Sequence, residues 1–229
     1  MIEFERVFKS YVPGYYALQD VSLSIGAGEF VFLSGPSGAG KSTLLKLIAA
    51  LEQPSRGVVR VHGQDVGRLP ARAWPWLRRS VGVVLQDTHL LVDRSALENV
   101  MMPLLVTGQP RAEAMRRARA ALEKVGLSGR ETEHPPSLSG GDQRRLAIAR
   151  AIVNRPALLI ADEPTANLDR LSAQRILGVF REFNRAGVTT LLSTHDEAIL
   201  FESATRILTL EAGRLVQNAP VSHSPGAHA

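Results

Sequence analysis

A continuous apolar run, Phe30-Val31-Phe32-Leu33, is broken abruptly by Gly35-Pro36-Ser37-Gly38-Ala39-Gly40-Lys41-Ser42. Apolar residues at helical spacing then follow at Leu44, Leu45, Leu47, Ile48 and Leu51. This order predicts a buried central strand, a glycine-rich turn and a helix from Lys41 to Leu51. The octapeptide fits G-x-x-x-x-G-K-[ST], whose glycines let backbone N–H groups turn inward on an anion while the helix N-terminus adds partial positive charge. The strand before it and the helix after it separate a working phosphate cradle from a chance match. Gly35, Pro36, Ser37, Gly38, Ala39, Gly40, Lys41, Ser42 and Thr43 are therefore candidate nucleotide contacts. Lys41 is expected to neutralise the outer phosphates and the Ser42 hydroxyl to ligate Mg2+.

A second apolar strand, Leu158-Leu159-Ile160-Ala161, ends in Asp162-Glu163. An Asp-Glu pair is usually a surface pair, but here both carboxylates are presented where a sheet meets a nucleotide crevice. Asp162 is expected to hold Mg2+ through water, and Glu163 to orient and deprotonate an attacking water. Between the two motifs lies Leu138-Ser139-Gly140-Gly141-Asp142-Gln143. Glycines at the start of a helix read as Gln143 to Val153 again offer N–H groups to an anion.

At 229 residues the chain can bury a substantial core without staples, and it has no cysteine for a disulfide or a thiolate. Its start, Met1-Ile2-Glu3-Phe4-Glu5-Arg6, lacks the pattern of a secretory signal, so a cytoplasmic location is expected. Apolar runs such as Met101-Met102-Pro103-Leu104-Leu105-Val106 fall far short of the roughly 20 residues of a membrane helix. Any membrane role is expected to come through a partner. The net charge of +5 gathers at Arg78-Arg79, at Arg111, Arg116, Arg117 and Arg119, and at Arg144-Arg145. No aromatic residues interleave with these clusters, so they read as solvated helix faces, and no direct nucleic-acid contact is expected.

Residues 1 to about 34 read as strands. Further strands are predicted at Val58 to Gly63, Val81 to Leu85, Ala157 to Ala161 and Val188 to Ser193, with a helix near Ser172 to Asn184. A final hairpin is read at Arg206 to Leu210 and Gly213 to Val216. The stretch from Asp87 to about Ser137 is helical in composition, and Ala112 to Val125 ends at Gly126. One domain is expected over residues 1–217, with a helical insertion at about 87–150 and a disordered tail at 218–229.

Together these motifs resemble the ATP-binding-cassette (ABC) ATPases across nearly the whole chain. The resemblance implies an α/β P-loop NTPase with a RecA-like core, an N-terminal antiparallel β subdomain and an inserted α-helical subdomain. It implies ATP and Mg2+ as cofactors, and a homodimer closing on ATP. In that dimer the signature Leu138 to Gln143, through Ser139, Gly140 and Gly141, would cap the γ-phosphate held by the other subunit. Gln86 matches the Q-loop, contacting Mg2+ and water, and His195 matches the switch histidine touching the γ-phosphate. Asn167-Leu168-Asp169 resembles the D-loop, with Ala166 where many relatives have Gly. Tyr11 matches the adenine-stacking aromatic, with Tyr15 and Tyr16 as close competitors.

The segments Leu77 to Gly82, Gln86 to Ser95 and Glu98-Asn99-Val100 are similar to the cell-division branch of the family. That likeness implies an integral membrane partner, control of cell-wall hydrolases, a place on the cytoplasmic face of the inner membrane, and contacts with cytoplasmic division-ring proteins. The ATPase of a lipoprotein or macrolide exporter is the alternative, and a nucleotide-gated scaffold is another. Leu90, Leu91, Leu97, Val100, Met101 and Met102 either line a docking groove for the membrane partner or pack the helical subdomain.

Overall fold

The computed structural model of the chain describes residues 1–166, 168–194 and 205–220. Strands β1 (Ile2–Val12) and β2 (Tyr15–Ile25) form a hairpin that turns at Gly14, whose φ of 82° favours glycine. Along β1, Ile2 and Phe4 point inward and Glu3 and Glu5 outward, the alternation of a sheet with one wet face. Strands β4 (Arg56–Val61) and β5 (Gln64–Asp65) complete an antiparallel sheet in the order β2-β1-β4-β5.

The second sheet contains β3 (Phe30–Ser34), β6 (Val81–Val84), β7 (Leu158–Asp162), β8 (Thr189–Ser193), β9 (Arg206–Glu211) and β10 (Arg214–Pro220). Its order is β10-β9-β3-β8-β7-β6, parallel throughout except for the edge strand β10. The apolar runs have no polar face because alternate residues serve two different cores. Phe30 and Phe32 join Leu159 and Leu192 beneath the helical layer, while Val31 and Leu33 join Ile160 and Leu191 toward the N-terminal sheet. Phe32 is 1% exposed, with its ring edge-on to Phe30 at 5.3 Å. Truncating such a side chain to alanine costs about 3–5 kcal/mol.

The helices are α1 (Lys41–Ile48), α2 (Trp74–Ser80), α3 (Ala96–Val106), α4 (Arg111–Lys124), α5 (Gly140–Ile152) and α6 (Arg170–Arg185). The inserted helices α3, α4 and α5 pack on one another and share the core that contains Phe32. A capping box starts α3: the Ser95 hydroxyl accepts from Glu98 N–H, and the Glu98 carboxylate accepts from Ser95 N–H.

Several elements differ from the sequence reading. Helix α1 stops at Ile48, and the left-handed Ala50 (φ 51°) turns the chain away, so Leu51 is left exposed outside the helix. Helix α5 begins at Gly140 and not Gln143, because Ser139 caps it with a hydroxyl that accepts Asp142 N–H at 3.1 Å. Helix α2 was unforeseen: Pro75 suits its first turn, but Leu77 is its one buried residue, so no apolar period marks it. At the other end of the chain, β10 carries Asn218 to Pro220, which were expected to be disordered. Asn218 pairs with Leu208 and its side-chain oxygen accepts from Arg206 at 2.8 Å; residues 221–229 lie outside the described residues.

Candidate active site

The phosphate cradle lies between β3 and α1, and steric contacts dictate its glycines. Gly35 has φ 136°, and a Cβ there would sit 2.1 Å from the Leu210 carbonyl oxygen. Gly40 has φ 104°, and a Cβ there would lie 2.4 Å from the Ala17 carbonyl oxygen. No side-chain hydrogen bond caps α1 and no acidic residue lies in its first turn. Its first N–H groups and positive end are therefore available to an anion. Lys41 is 6% exposed, and its ammonium donates to the carbonyls of Gly35 at 2.6 Å and Pro36 at 3.0 Å. Among the described residues it has no carboxylate partner, so a buried positive charge awaits a counter-ion.

The carboxylates stand two strands away, at the end of β7. Asp162 is 4% exposed, and its Oδ1 accepts from the Ser193 hydroxyl at 2.5 Å. The same Ser193 oxygen accepts Glu163 N–H at 2.8 Å. Glu163 has φ 47°, left-handed and uncommon for a residue with a Cβ. Its carbonyl accepts from Arg144 Nη1 at 2.7 Å, so the peptide groups on both sides of this residue are fixed.

Gln86 is exposed just after β6. The carbonyls of Thr88 and His89, which follow it, accept from Arg150 of α5. Thr194 N–H donates to Leu33 O at 3.1 Å, so β8 delivers the chain beside the strand that leads into the cradle. His195 and Asn167 lie outside the described residues. Asp169 caps α6 by accepting Ser172 N–H at 2.9 Å.

The signature divides into parts with different duties. Leu138 and Asp142 are buried, so their side chains cannot reach a second subunit. The Asp142 carboxylate accepts from the Ser139 hydroxyl at 2.6 Å, from Arg130 at 3.2 Å and from Arg145. Burial pushes its pKa up, but the Ser139 hydroxyl and the Arg145 and Arg130 guanidiniums outweigh burial and hold it below the ordinary aspartate range. Gln143 donates to Pro135 O at 3.0 Å and Leu138 O at 3.1 Å, which fixes the approach to α5. Ser139 and Gly140 remain exposed, and Gly141 is partly exposed against Leu168. Among the tyrosines, Tyr16 is engaged edge-on by Phe8 at 5.9 Å, whereas Tyr11 and Tyr15 are exposed, Tyr11 with the Lys9 ammonium over its ring at 4.8 Å.

Three contributors were missed in the sequence. Ser193 directly follows the apolar pair Leu191-Leu192 at the end of β8, and that polar ending is a usable signal. Arg144 reads as solvated charge and Arg150 carries no sequence signal, but each reaches a backbone carbonyl of a site loop. Charge clustering alone carries no sign of that.

A glycine cradle at a strand-to-helix turn, with paired carboxylates ending a parallel strand two places away, defines a P-loop nucleotide hydrolase. A family profile described as ABC transporter matches residues 18–166. The chain belongs to that family and is an ABC ATPase, binding and hydrolysing ATP. It is 50% identical to the cell division ATP-binding protein FtsE of Escherichia coli (strain K12), over 94% of this chain and 97% of that protein. Against FtsE of Mycobacterium tuberculosis it is 45% identical over 95% of each. The macrolide export ATP-binding/permease protein MacB of Sodalis glossinidius is 40% identical over 98% of this chain, which spans 35% of that protein. Among solved structures, the dimeric post-hydrolysis state of the cassette MJ0796, bound to ADP and Pi, superposes with a TM-score of 0.92 at 34% identity, covering 98% of this chain and all of that one.

Proposed function

We propose that this chain is the ATPase subunit of an FtsEX-type complex in bacterial cell division. In this reading it works as a homodimer that closes on ATP beneath an integral membrane protein of the FtsX type, at the cytoplasmic face of the inner membrane, and so regulates cell-wall hydrolysis. The observation that carries the reading is the 50% identity to FtsE along nearly the full length of both chains. No helix among the described residues is long and apolar enough to cross a membrane, and in this reading the membrane partner provides the attachment. Cytoplasmic division-ring proteins are further partners in this reading, and nucleic acid is not.

The residues fit ATP with Mg2+. Gly35 and Gly40 leave backbone where a Cβ would collide, and Lys41 has no carboxylate partner among the described residues. No cluster of three or more His, Asp or Glu among the described residues holds a metal unaided. Ser42 at the start of α1, Gln86 after β6 and Asp162 at the end of β7 are a donor set suited to Mg2+, which keeps waters and borrows phosphate oxygens. Mg2+, when bound, would neutralise charge on the phosphates. Lys41 binds and orients the outer phosphates. Glu163 takes the proton from the attacking water, in the position set by Ser193 and Arg144, with His195 as the second γ-phosphate contact. Ser139, Gly140 and Gly141 complete the other subunit's site, and Asn167, Leu168 and Asp169 link the two. Tyr11 or Tyr15 stacks on the base.

The proposed docking surface is smaller than the sequence suggested. Val100 and Met101 are buried and Leu90 and Leu97 pack against the core, so these four leave the groove. Leu91 and Met102 remain, lining a cavity of about 420 Å³ with Pro75, Pro103 and Val106, flanked by the exposed Trp76.

Losing a positioned general base costs on the order of 100 to 10,000-fold in rate. Glu163→Gln should therefore bind ATP, hardly turn it over and accumulate as the closed dimer. Purifying that variant with ATP and Mg2+ from detergent-solubilised native membranes tests the whole reading. Co-recovery of an FtsX-like protein supports it, whereas recovery of an exporter permease would keep the ATPase and remove the division role.

A further inference from the structure

Arg144 lies on the second turn of α5, yet its guanidinium leaves the helix and donates through Nη1 to the Glu163 carbonyl at 2.7 Å. The acceptor residue is held left-handed at φ 47°, and its N–H is already taken by the Ser193 hydroxyl at 2.8 Å. The Arg144 hydrogen bond is thus the second clamp on a strained peptide whose side chain is the proposed general base. Burial works against the charged form of Arg144, and the Glu163 and Asp162 carboxylates work for it. A guanidinium stays ionised in such a setting, so the donor persists at any physiological pH. The neighbouring Arg145 turns instead to Asp142, so the two adjacent arginines have separate tasks.

We infer that Arg144 is a positioning residue for hydrolysis: it fixes Glu163 through the main chain and ties the catalytic carboxylate to the helix whose first turn carries Ser139, Gly140 and Gly141 of the same chain. The inference rests on the reading of Glu163 as general base. Movement of α5 as its N-terminus meets the other subunit's nucleotide then acts directly on the Glu163 peptide. Each site would be set for turnover by the engagement of its own signature elsewhere in the dimer.

Misplacing a reacting group by about 1 Å costs on the order of 100-fold. The test compares Arg144→Met, which keeps length and loses the donor, with Arg144→Lys, which keeps a cationic donor, and with Glu163→Gln. Each is assayed for kcat, KM, affinity for a fluorescent ATP analogue and melting temperature. Arg144→Met is expected to lower kcat roughly 10- to 100-fold while KM and analogue affinity stay within about twofold, and Arg144→Lys is expected to recover most of the loss. An Arg144→Met enzyme with kcat within about twofold of the parent overturns the inference while Glu163→Gln remains inactive. Equal loss in both Arg144 variants, matched by a fall in melting temperature, also overturns it by reducing Arg144 to a structural role. Normal turnover in Glu163→Gln would instead bring down the reading on which the inference stands.

Discussion

Lys41 holds its charge in a buried place by leaning on the carbonyls of Gly35 and Pro36, and a phosphate must draw it away from them. Hydrogen bonds to charged groups contribute about 1.5–3 kcal/mol. Lys41→Ala is therefore expected to weaken ATP affinity by roughly 10- to 100-fold, read by titration with a fluorescent nucleotide; unchanged affinity would contradict the cradle. Asp142 gives a prediction in pH. Its folded pKa lies below the unfolded value of about 3.9, so the native state favours the ionised form. The stabilisation is complete above about pH 4 and is lost as the pH falls through the folded value. Denaturant melts of the parent and Asp142→Asn should differ by a constant amount from pH 7 to about pH 4, and the gap should narrow below that. A gap unchanged at pH 3 would contradict the assignment.

Helix α5 is the element that binds the site together. Arg144 reaches the loop after β7, Arg150 reaches the loop after β6, and Arg117 from α4 donates to Val153 O at its C-terminal end. The start of α3 is secured differently. Asn99 is fully buried and uses both ends of its amide: its oxygen accepts from Leu91 N–H, and its nitrogen donates to the carbonyls of Leu91, Arg94 and Ser95. Asn99→Leu would strand these groups, each costing about 1–3 kcal/mol when buried and unpaired. A loss of at least about 2 kcal/mol in denaturant melts is expected, and a smaller one would mean that the loop finds other partners. Asn99 was visible in the sequence only as part of Glu98-Asn99-Val100. A polar residue whose partners are backbone groups four to eight positions upstream has no periodic signature. The strands were legible for the opposite reason, since β3 and β7 each contain a short apolar run ended by a polar residue, and β8 is rich in β-branched and apolar residues.

Across the whole molecule, the residues proposed to touch phosphate were legible because their chemistry demands particular types in a particular order. The surface proposed to meet a partner was not, because burial decides it: Met101 and Met102 are adjacent and equally apolar, yet one is core and the other lines the groove. Charged replacements at Leu91 and Val106 are expected to abolish co-purification with the membrane partner while leaving ATPase activity within about twofold, as surface changes away from buried features usually do. Retained co-purification would remove the groove from the interface.

The cradle itself depends on distant residues. Gly213, between β9 and β10, donates its N–H to Ala39 O at 3.1 Å, and its carbonyl accepts Gln19 N–H at 2.7 Å, with φ 79° and no room for a Cβ beside Ala17. The loop encoded by residues 35–42 is thus buttressed by a hairpin synthesised some 170 positions later. During translation, the chain possesses its nucleotide motif long before it possesses the scaffold that gives the motif its shape. A prematurely terminated product ending before β9 would keep the motif and fail to grip nucleotide. The shape of the cradle is thus a property of the finished chain and not of the motif alone.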